Sequence, residues 1–101
     1  MAKMRQILII GNNDNGCTPE IEKIAYDAGK HVAESNSVLI TGGLGGVMKA
    51  ASHGAKDGGG LTIGIIPQDD SSLANEFCDI VIPSGMGLSR DFLNALSADG
   101  V

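Results

Sequence analysis

Short apolar runs alternate with longer amphipathic segments along this chain, and the alternation predicts its secondary structure. Residues 7–10, 38–40, 61–66 and 79–83 are mainly apolar and rich in β-branched side chains, and each run is too short for a helix. Strands that are apolar at consecutive positions are typical of a parallel sheet covered by helices on its faces. The pattern therefore predicts four strands and an α/β fold.

Three segments between and after these runs have helical spacing. The first helix is predicted to begin with Thr18 as N-cap and Pro19 at the first helical position. The second is predicted over residues 46–56, and the third begins near residue 88 and ends near residue 98. The apolar stripe of the first helix consists of Ile21, Ile24, Ala25, Ala28, Val32 and Ala33.

The order of these elements predicts how the sheet is connected. Strands that alternate with helices imply right-handed crossovers in a parallel sheet, and we expect the strand order 3-2-1-4, one half of a doubly wound fold. No repeat or linker divides residues 1–101, which are expected to form a single domain. In this order residues 11–15, 42–46 and 84–90 would line one crevice at the carboxyl edge of the sheet.

Residues 42–46 carry four glycines in five positions, directly between the second strand and the second helix. Glycines permit positive φ and let a ligand approach with no Cβ in the way. The N–H groups and the dipole at the start of the following helix favour a phosphate or another small anion. The spacing matches neither G-x-G-x-x-G nor G-x-x-x-x-G-K-[ST]. A tight turn whose glycines only allow close helix–sheet packing is the alternative.

Polar residues that follow the first and fourth strands extend this predicted site. Asn12 and Asn13 offer hydrogen bonds to a base or a sugar, and Arg90 would add a bidentate contact to a phosphate. The alternative for Arg90 is a surface arginine paired with Asp91 or Asp99. The predicted binding residues are Gly11, Asn12, Asn13, Thr41, Gly42, Gly43, Leu44, Gly45, Gly46, Val47, Met48, Gly87 and Arg90.

Composition and charge disfavour several kinds of partner and indicate a cellular compartment. The net charge of −5, without any cluster of Lys and Arg, disfavours nucleic-acid binding. Cys17 and Cys78 are far apart and the two histidines are scattered, which predicts no metal site and favours reduced thiols in a cytoplasmic protein. No signal peptide is recognised, and no apolar run approaches membrane-spanning length, so no membrane partner is expected.

Residues 41–48, with Ala51 and Gly54 downstream, resemble the first glycine motif of a Rossmann-like family. That family includes molybdenum-cofactor carrier proteins and cytokinin-activating phosphoribohydrolases, often mislabelled lysine decarboxylases, with DNA-processing proteins as more distant relatives. Residues 64–67 and 79–83 are similar to its third and fourth strands. The resemblance implies a Rossmann-like three-layer sandwich, a nucleotide or the molybdenum cofactor as ligand, and a homo-oligomer.

Residues 87–91 look like the family segment that carries an arginine, here Arg90. In the family's hydrolases a second glycine motif, G-G-x-G-T-x-x-E, follows the segment similar to residues 97–99, and its glutamate acts with that arginine on the ribosyl phosphate. No match to this second motif occurs in the 101 residues. Asp91 stands where the family often has Asn or Lys, and its carboxylate would weaken the pull of Arg90 on an anion.

Three functions are compatible with these observations. The first is a binding protein for a phosphate-bearing small molecule. The second is a nucleoside 5′-monophosphate phosphoribohydrolase, which needs a carboxylate to stabilise an oxocarbenium ion or activate water. The third is an oligomeric structural protein without a ligand, because an unpaired apolar edge at the fourth strand promotes association. No catalytic residue is assigned, since no pair at a suitable spacing is formed by Asp14, Asp69, Asp70 and Asp91.

Overall fold

A computed structural model of the chain describes residues 4–87 and 98–100. The elements in chain order are β1 (Gln6–Leu8), α1 (Pro19–Glu34), β2 (Val38–Thr41), α2 (Val47–Asp57), β3 (Thr62–Ile66), a 3-10 helix (Ser71–Leu73) and β4 (Ile80–Pro83). The four predicted strands and the first two predicted helices are confirmed, whereas the third predicted helix falls outside the described residues. Among the described residues, no helix has the length and apolar character that crossing a membrane requires.

The four strands form one all-parallel sheet in the order β1-β2-β3-β4. The Rossmann-like α/β class is therefore confirmed, but the predicted strand order 3-2-1-4 is wrong, because β4 pairs with β3 and not with β1. The connection from β3 to β4 contains a single 3-10 turn and no crossover helix. Asp79 N donates to Thr62 O at 3.1 Å, and Ser84 N donates to Ile66 O at 3.1 Å. These bonds hold both ends of β4 against β3.

β1 has a neighbour on each side. On one side it pairs with β2. On the other side Gly100 forms a parallel bridge with Ile7, and Leu8 N donates to Gly100 O at 2.8 Å. Asp99 also accepts a hydrogen bond from Gln6 N at 2.8 Å. β1 is therefore an inner strand, and within the described ranges β4 is an edge strand with β3 as its one neighbour.

Alternate side chains of β2 face opposite sides of the sheet, as a strand requires. Leu39 points to the side of α1 and α2, in a cluster made of Ala33, Leu39, Ala51 and Ala55. Ile40 points to the other side, in a cluster made of Leu8, Ile40 and Ile65, against which Ala98 packs. Both faces of the sheet thus carry buried apolar side chains, as predicted for a central layer.

α1 and α2 approach each other closely because each has a glycine at the contact. A Cβ added at Gly29 would overlap Ala51 O and lie 2.7 Å from the Ala51 carbonyl carbon. A Cβ added at Gly54 would overlap Tyr26 O and lie 2.8 Å from the Tyr26 carbonyl carbon. The backbone of each helix therefore rests directly on a glycine of the other.

This contact corrects the apolar stripe predicted for α1. Ala25, Gly29 and Ala33, spaced four residues apart, are the buried positions of the helix. Ile21 is 38% exposed and Ile24 is 69% exposed. Ala25, Gly29 and Ala33 form the row that faces α2, because their small side chains permit close helix packing. The large side chains of Ile21 and Ile24 therefore point partly into solvent.

The starts of β3 and β4 are joined through the Asp79 carboxylate. It accepts hydrogen bonds from Lys56 Nζ at 2.8 Å and from Thr62 N at 3.0 Å. Burial raises the pKa of Asp79, but the hydrogen bonds from Lys56 and Thr62 and the positive charge of Lys56 outweigh burial. The pKa of Asp79 therefore lies below its ordinary value of 3.8.

Because the folded state holds Asp79 ionised more strongly than the unfolded chain does, its contribution to the free energy of unfolding is complete above pH 3.8 and is lost as the pH falls through the lower folded pKa. We expect Asp79→Asn to lose less stability than the wild type across this acidic window. Urea unfolding between neutral pH and about pH 3 measures the difference. Asp69→Asn, which makes the same change at an exposed residue of the loop between β3 and β4, is the control. Parallel pH profiles for Asp79→Asn and the wild type would contradict the assignment.

Candidate functional site at the start of helix α2

Residues 42–46, the glycine turn, connect β2 to α2 at the carboxyl edge of the sheet. Gly43 has φ of 77° and Gly46 has φ of 60°. Gly46 combines this φ with ψ of −129°, a region that only glycine adopts without strain. Helix α2 begins directly after Gly46, which supplies no side chain to cap it. The first N–H groups of the helix therefore need acceptors from elsewhere.

Those acceptors come from residues 11–16, the asparagine loop, which follows β1. Two side-chain oxygens and one backbone oxygen of this loop accept hydrogen bonds from consecutive amides of the turn and helix. The bonds run from Gly45 N to Asn13 Oδ1 at 3.0 Å, from Gly46 N to Asp14 Oδ1 at 2.8 Å, and from Val47 N to Asn12 O at 2.9 Å. The sequence predicts that these amides bind the phosphate of a ligand. In the structure they instead donate to oxygens of the protein itself, one of which belongs to a carboxylate.

The other side of the glycine turn is held by Asn75, from the loop between β3 and β4. Asn75 N donates to Gly43 O at 2.7 Å, and Asn75 Nδ2 donates to Leu44 O at 2.8 Å. Within the turn, Gly43 N donates to the buried Thr41 Oγ1 at 3.1 Å. Sequence reasoning missed Asn75, because no periodicity marks a single polar residue in a loop.

A cavity of about 250 Å³ opens beside Gly46 at the start of α2. This volume lies just below the range of roughly 300–1,000 Å³ that is typical of small-molecule sites. Lys49 and His53 are one helical turn apart, which places both side chains on the same side of α2. The cavity is lined by Asp14, Cys17, Glu22, Gly46, Lys49, Ala50, His53 and Phe77.

His53 and Phe77 form the aromatic wall of this cavity, and Tyr26 contacts His53 without lining it. The His53 ring stacks on Phe77 with centroids 4.3 Å apart and meets the edge of Tyr26 at 5.2 Å. The Tyr26 hydroxyl donates to the Asp57 carboxylate, and this hydrogen bond raises the pKa of Tyr26 above its ordinary value. These contacts hold the imidazole in place beside the cavity.

Lys49 supplies positive charge to the cavity. Its ammonium lies 3.7 Å from Glu76 Oε1, and both side chains are about half exposed or more. Lys49 and His53, which the sequence did not single out, are both exposed on α2. The signal that could have identified them is their spacing of four residues on the helix that leaves the glycine turn.

The structure brings together two of the three segments predicted for the crevice. Residues 11–13 lie against the glycine turn, and a Cβ added at Gly11 would lie 2.5 Å from Val47 Cγ1. Gly87 lies elsewhere, and its N–H donates to Pro67 O at 3.0 Å. The expectation that residues 84–87 border the asparagine loop rested on the order 3-2-1-4 and is corrected with it, because β2 and β3 separate β4 from β1. Arg90 lies outside the described residues.

The parallel sheet, the glycine turn and the helix that starts on it define a Rossmann-like α/β protein. The chain belongs to the SLOG cluster4 family, whose sequence model matches residues 4–101. It is similar to an uncharacterized protein from Archaeoglobus fulgidus, with 43% identity over 99 residues that cover 98% of this chain and 64% of the relative.

Two solved structures are similar in both fold and sequence. The molybdenum cofactor binding protein from the phototrophic bacterium Rippkaea orientalis has a TM-score of 0.93 and 37% identity over 100% of this chain and 65% of its own. The Moco carrier protein from Chlamydomonas reinhardtii has a TM-score of 0.86 and 34% identity over 98% of this chain and 64% of its own. The resemblance seen in residues 41–48 is thereby confirmed. The chain spans 64–65% of the length of these relatives.

Proposed function

We propose that this protein binds a phosphate-bearing small molecule, a nucleotide or a molybdopterin-type cofactor, in the cavity at the start of α2. The observation that carries the proposal is the continuity of this cavity with the glycine turn, since Gly46 and Lys49 line it together. The names of the two solved relatives, a molybdenum cofactor binding protein and a carrier protein, support the same class of ligand.

The residues of the cavity fit such a ligand. Lys49 would pair with the phosphate in exchange for Glu76, because an exposed ion pair contributes little free energy and is easily replaced. Phe77 and His53 present an aromatic wall to a heterocycle. Glu22 would accept hydrogen bonds from the N–H groups of that heterocycle. The cavity thus provides a cation for the phosphate, an aromatic wall for the heterocycle, and hydrogen-bond acceptors for the N–H groups of the heterocycle.

The hydrolase alternative gains no support from the described carboxylates. Asp14 accepts a hydrogen bond from Gly46 N. Asp70 accepts hydrogen bonds from Ser72 N at 3.0 Å and Ser72 Oγ at 2.7 Å, and these bonds lower its pKa. A carboxylate that stabilises an oxocarbenium ion must face the substrate, whereas the Asp70 carboxylate is bonded to Ser72 and does not line the cavity. These roles favour binding over glycoside hydrolysis.

Loss of the cavity's lysine charge is expected to release the ligand. Native mass spectrometry of protein purified without added ligand should show wild-type chains with extra mass matching a nucleotide or a pterin phosphate. In Lys49→Gln we expect the occupied fraction to fall about tenfold, because a charge-assisted hydrogen bond contributes roughly 1.5–3 kcal/mol.

Lys30→Gln is the matched control, since it removes the same charge from the later part of α1 and does not line the cavity. It should retain the ligand as the wild type does. Wild-type chains without extra mass, or equal occupancy in Lys49→Gln, would contradict the proposal.

We also propose that the chain forms a homo-oligomer through the outer edge of β4. Ile80 is 43% exposed and Ile82 is 42% exposed on this strand. No second strand pairs with β4 among the described residues, and an apolar unpaired edge favours association with another copy. The subunit count in the same native spectra tests this, and a monomer would contradict it.

The two thiols support a reducing, cytoplasmic compartment as a further part of the proposal. Cys17 and Cys78 are both free. Burial raises the pKa of the Cys78 thiol, although a hydrogen bond with Ser52 opposes the shift. A neutral, half-buried thiol is stable where disulfides do not form.

A further inference from the structure

The asparagine loop places a carboxylate at the position where the proposed ligand's phosphate would meet helix α2. We propose that Asp14 acts as an internal anion that competes with this phosphate for the start of α2, so that the phosphate reaches the glycine turn only after the loop has moved. This inference rests on the proposed function and concerns the regulation of the same cavity.

The position of the Asp14 carboxylate carries the inference. Asp14 Oδ1 accepts from Gly46 N at 2.8 Å, at the end of α2 where the helix dipole favours negative charge. A Cβ added at Gly45 would lie 2.5 Å from Asp14 Oδ1 and 2.6 Å from Asp14 Oδ2. Both oxygens therefore occupy the space beside Gly45 that a phosphate bound to the amides of Gly45 and Gly46 would need. A carboxylate and a phosphate dianion in contact also repel each other.

Asp14 belongs to the cavity as well as to the turn. The same side chain that bonds to Gly46 lines the cavity together with Lys49. A ligand phosphate paired with Lys49 would therefore lie next to the carboxylate. If Asp14 moved away, the cavity would lose a carboxylate from its wall, and backbone N–H groups such as that of Gly46 would be free to bind the phosphate.

The hydrogen bonds that hold Asp14 are accessible to solvent. The whole of residues 12–16 is exposed, and the bonds from Gly45 to Asn13 and from Gly46 to Asp14 are exposed as well. Water can replace such exposed bonds at small net cost, because a protein–protein hydrogen bond is then exchanged for protein–water bonds. The binding free energy of a small ligand is thus large enough to offset the cost of releasing the asparagine loop.

The test is isothermal titration of inorganic pyrophosphate into the full chain and two Asp14 variants. Asp14→Asn keeps an oxygen for Gly46 N and removes the charge, and we expect pyrophosphate to bind about tenfold more tightly. Asp14→Ala removes the hydrogen bond too, and should bind at least as tightly as Asp14→Asn. Glu20→Gln is the control, because it makes the same change in net charge in the first turn of α1, outside the cavity.

Unchanged or weaker pyrophosphate binding in both Asp14 variants overturns the inference. A wild type that still carries its ligand in native spectra would then leave the proposed function standing. Equal tightening in Glu20→Gln also overturns the inference, since it would show a general effect of net charge. If no variant binds pyrophosphate and native spectra show no ligand, both the inference and the proposed function fail.

Discussion

Gly54→Ala should destabilise the fold by about 3 kcal/mol, although alanine is the better helix former. In an isolated helix the substitution stabilises by about 1 kcal/mol. Here the added Cβ would overlap the carbonyl oxygen of Tyr26 on α1. A backbone atom cannot move away by a change of rotamer, so the two helices must separate. Separation opens the cluster of small side chains between the helices and the sheet, and this loss exceeds the gain in helix propensity.

Gly29→Ala should have a similar effect, because its Cβ would overlap the carbonyl oxygen of Ala51 on α2. The double variant should cost less than the sum of the two, since the first substitution already separates the helices. Urea unfolding of both single variants and the double variant gives the three free energies. Gly100→Ala, whose Cβ would lie 3.4 Å from Ile7 Cδ1, is the control and should change little. A gain in stability from Gly54→Ala would contradict the proposed packing.

Gly46→Ala should also cost about 3 kcal/mol, and it should release the asparagine loop from α2. Two causes add. The φ and ψ of Gly46 are strained for any residue with a Cβ, and the new methyl group would overlap backbone atoms of Asn12 and Asn13. The loop must move away before the helix can start in the same place.

Gly45→Ala is the matched control for Gly46→Ala. The three atoms nearest to its Cβ all belong to the side chain of Asp14, which can rotate away, so we expect a smaller loss of stability. Urea unfolding gives the two free energies, and hydrogen exchange of the Val47 amide reports whether the bond to Asn12 O persists. Exchange should become faster in Gly46→Ala. Equal loss of stability in the two variants would contradict the role of the backbone contact.

Local sequence determined the elements of this protein. Thr18 caps α1 as predicted, with its hydroxyl accepting from Ile21 N at 3.2 Å, and Pro19 is the first helical residue. The apolar run of residues 38–40 lies in the fully buried strand β2, and the glycine turn leads directly into α2. Capping and hydrophobic periodicity act between residues within a few positions of each other, so the sequence alone predicts such features.

Only the tertiary structure decided how these elements meet. Strand β4 lies beside β3, with which it pairs along its whole length and to which the Asp79 carboxylate bonds through Thr62 N. The contact of Asp14 with Gly46 joins residues 32 positions apart. Lys49 lines the cavity together with Asp14 because the asparagine loop lies across the start of α2. Contacts between distant residues depend on which surfaces pack together, and the local pattern of apolar and polar positions does not contain that information.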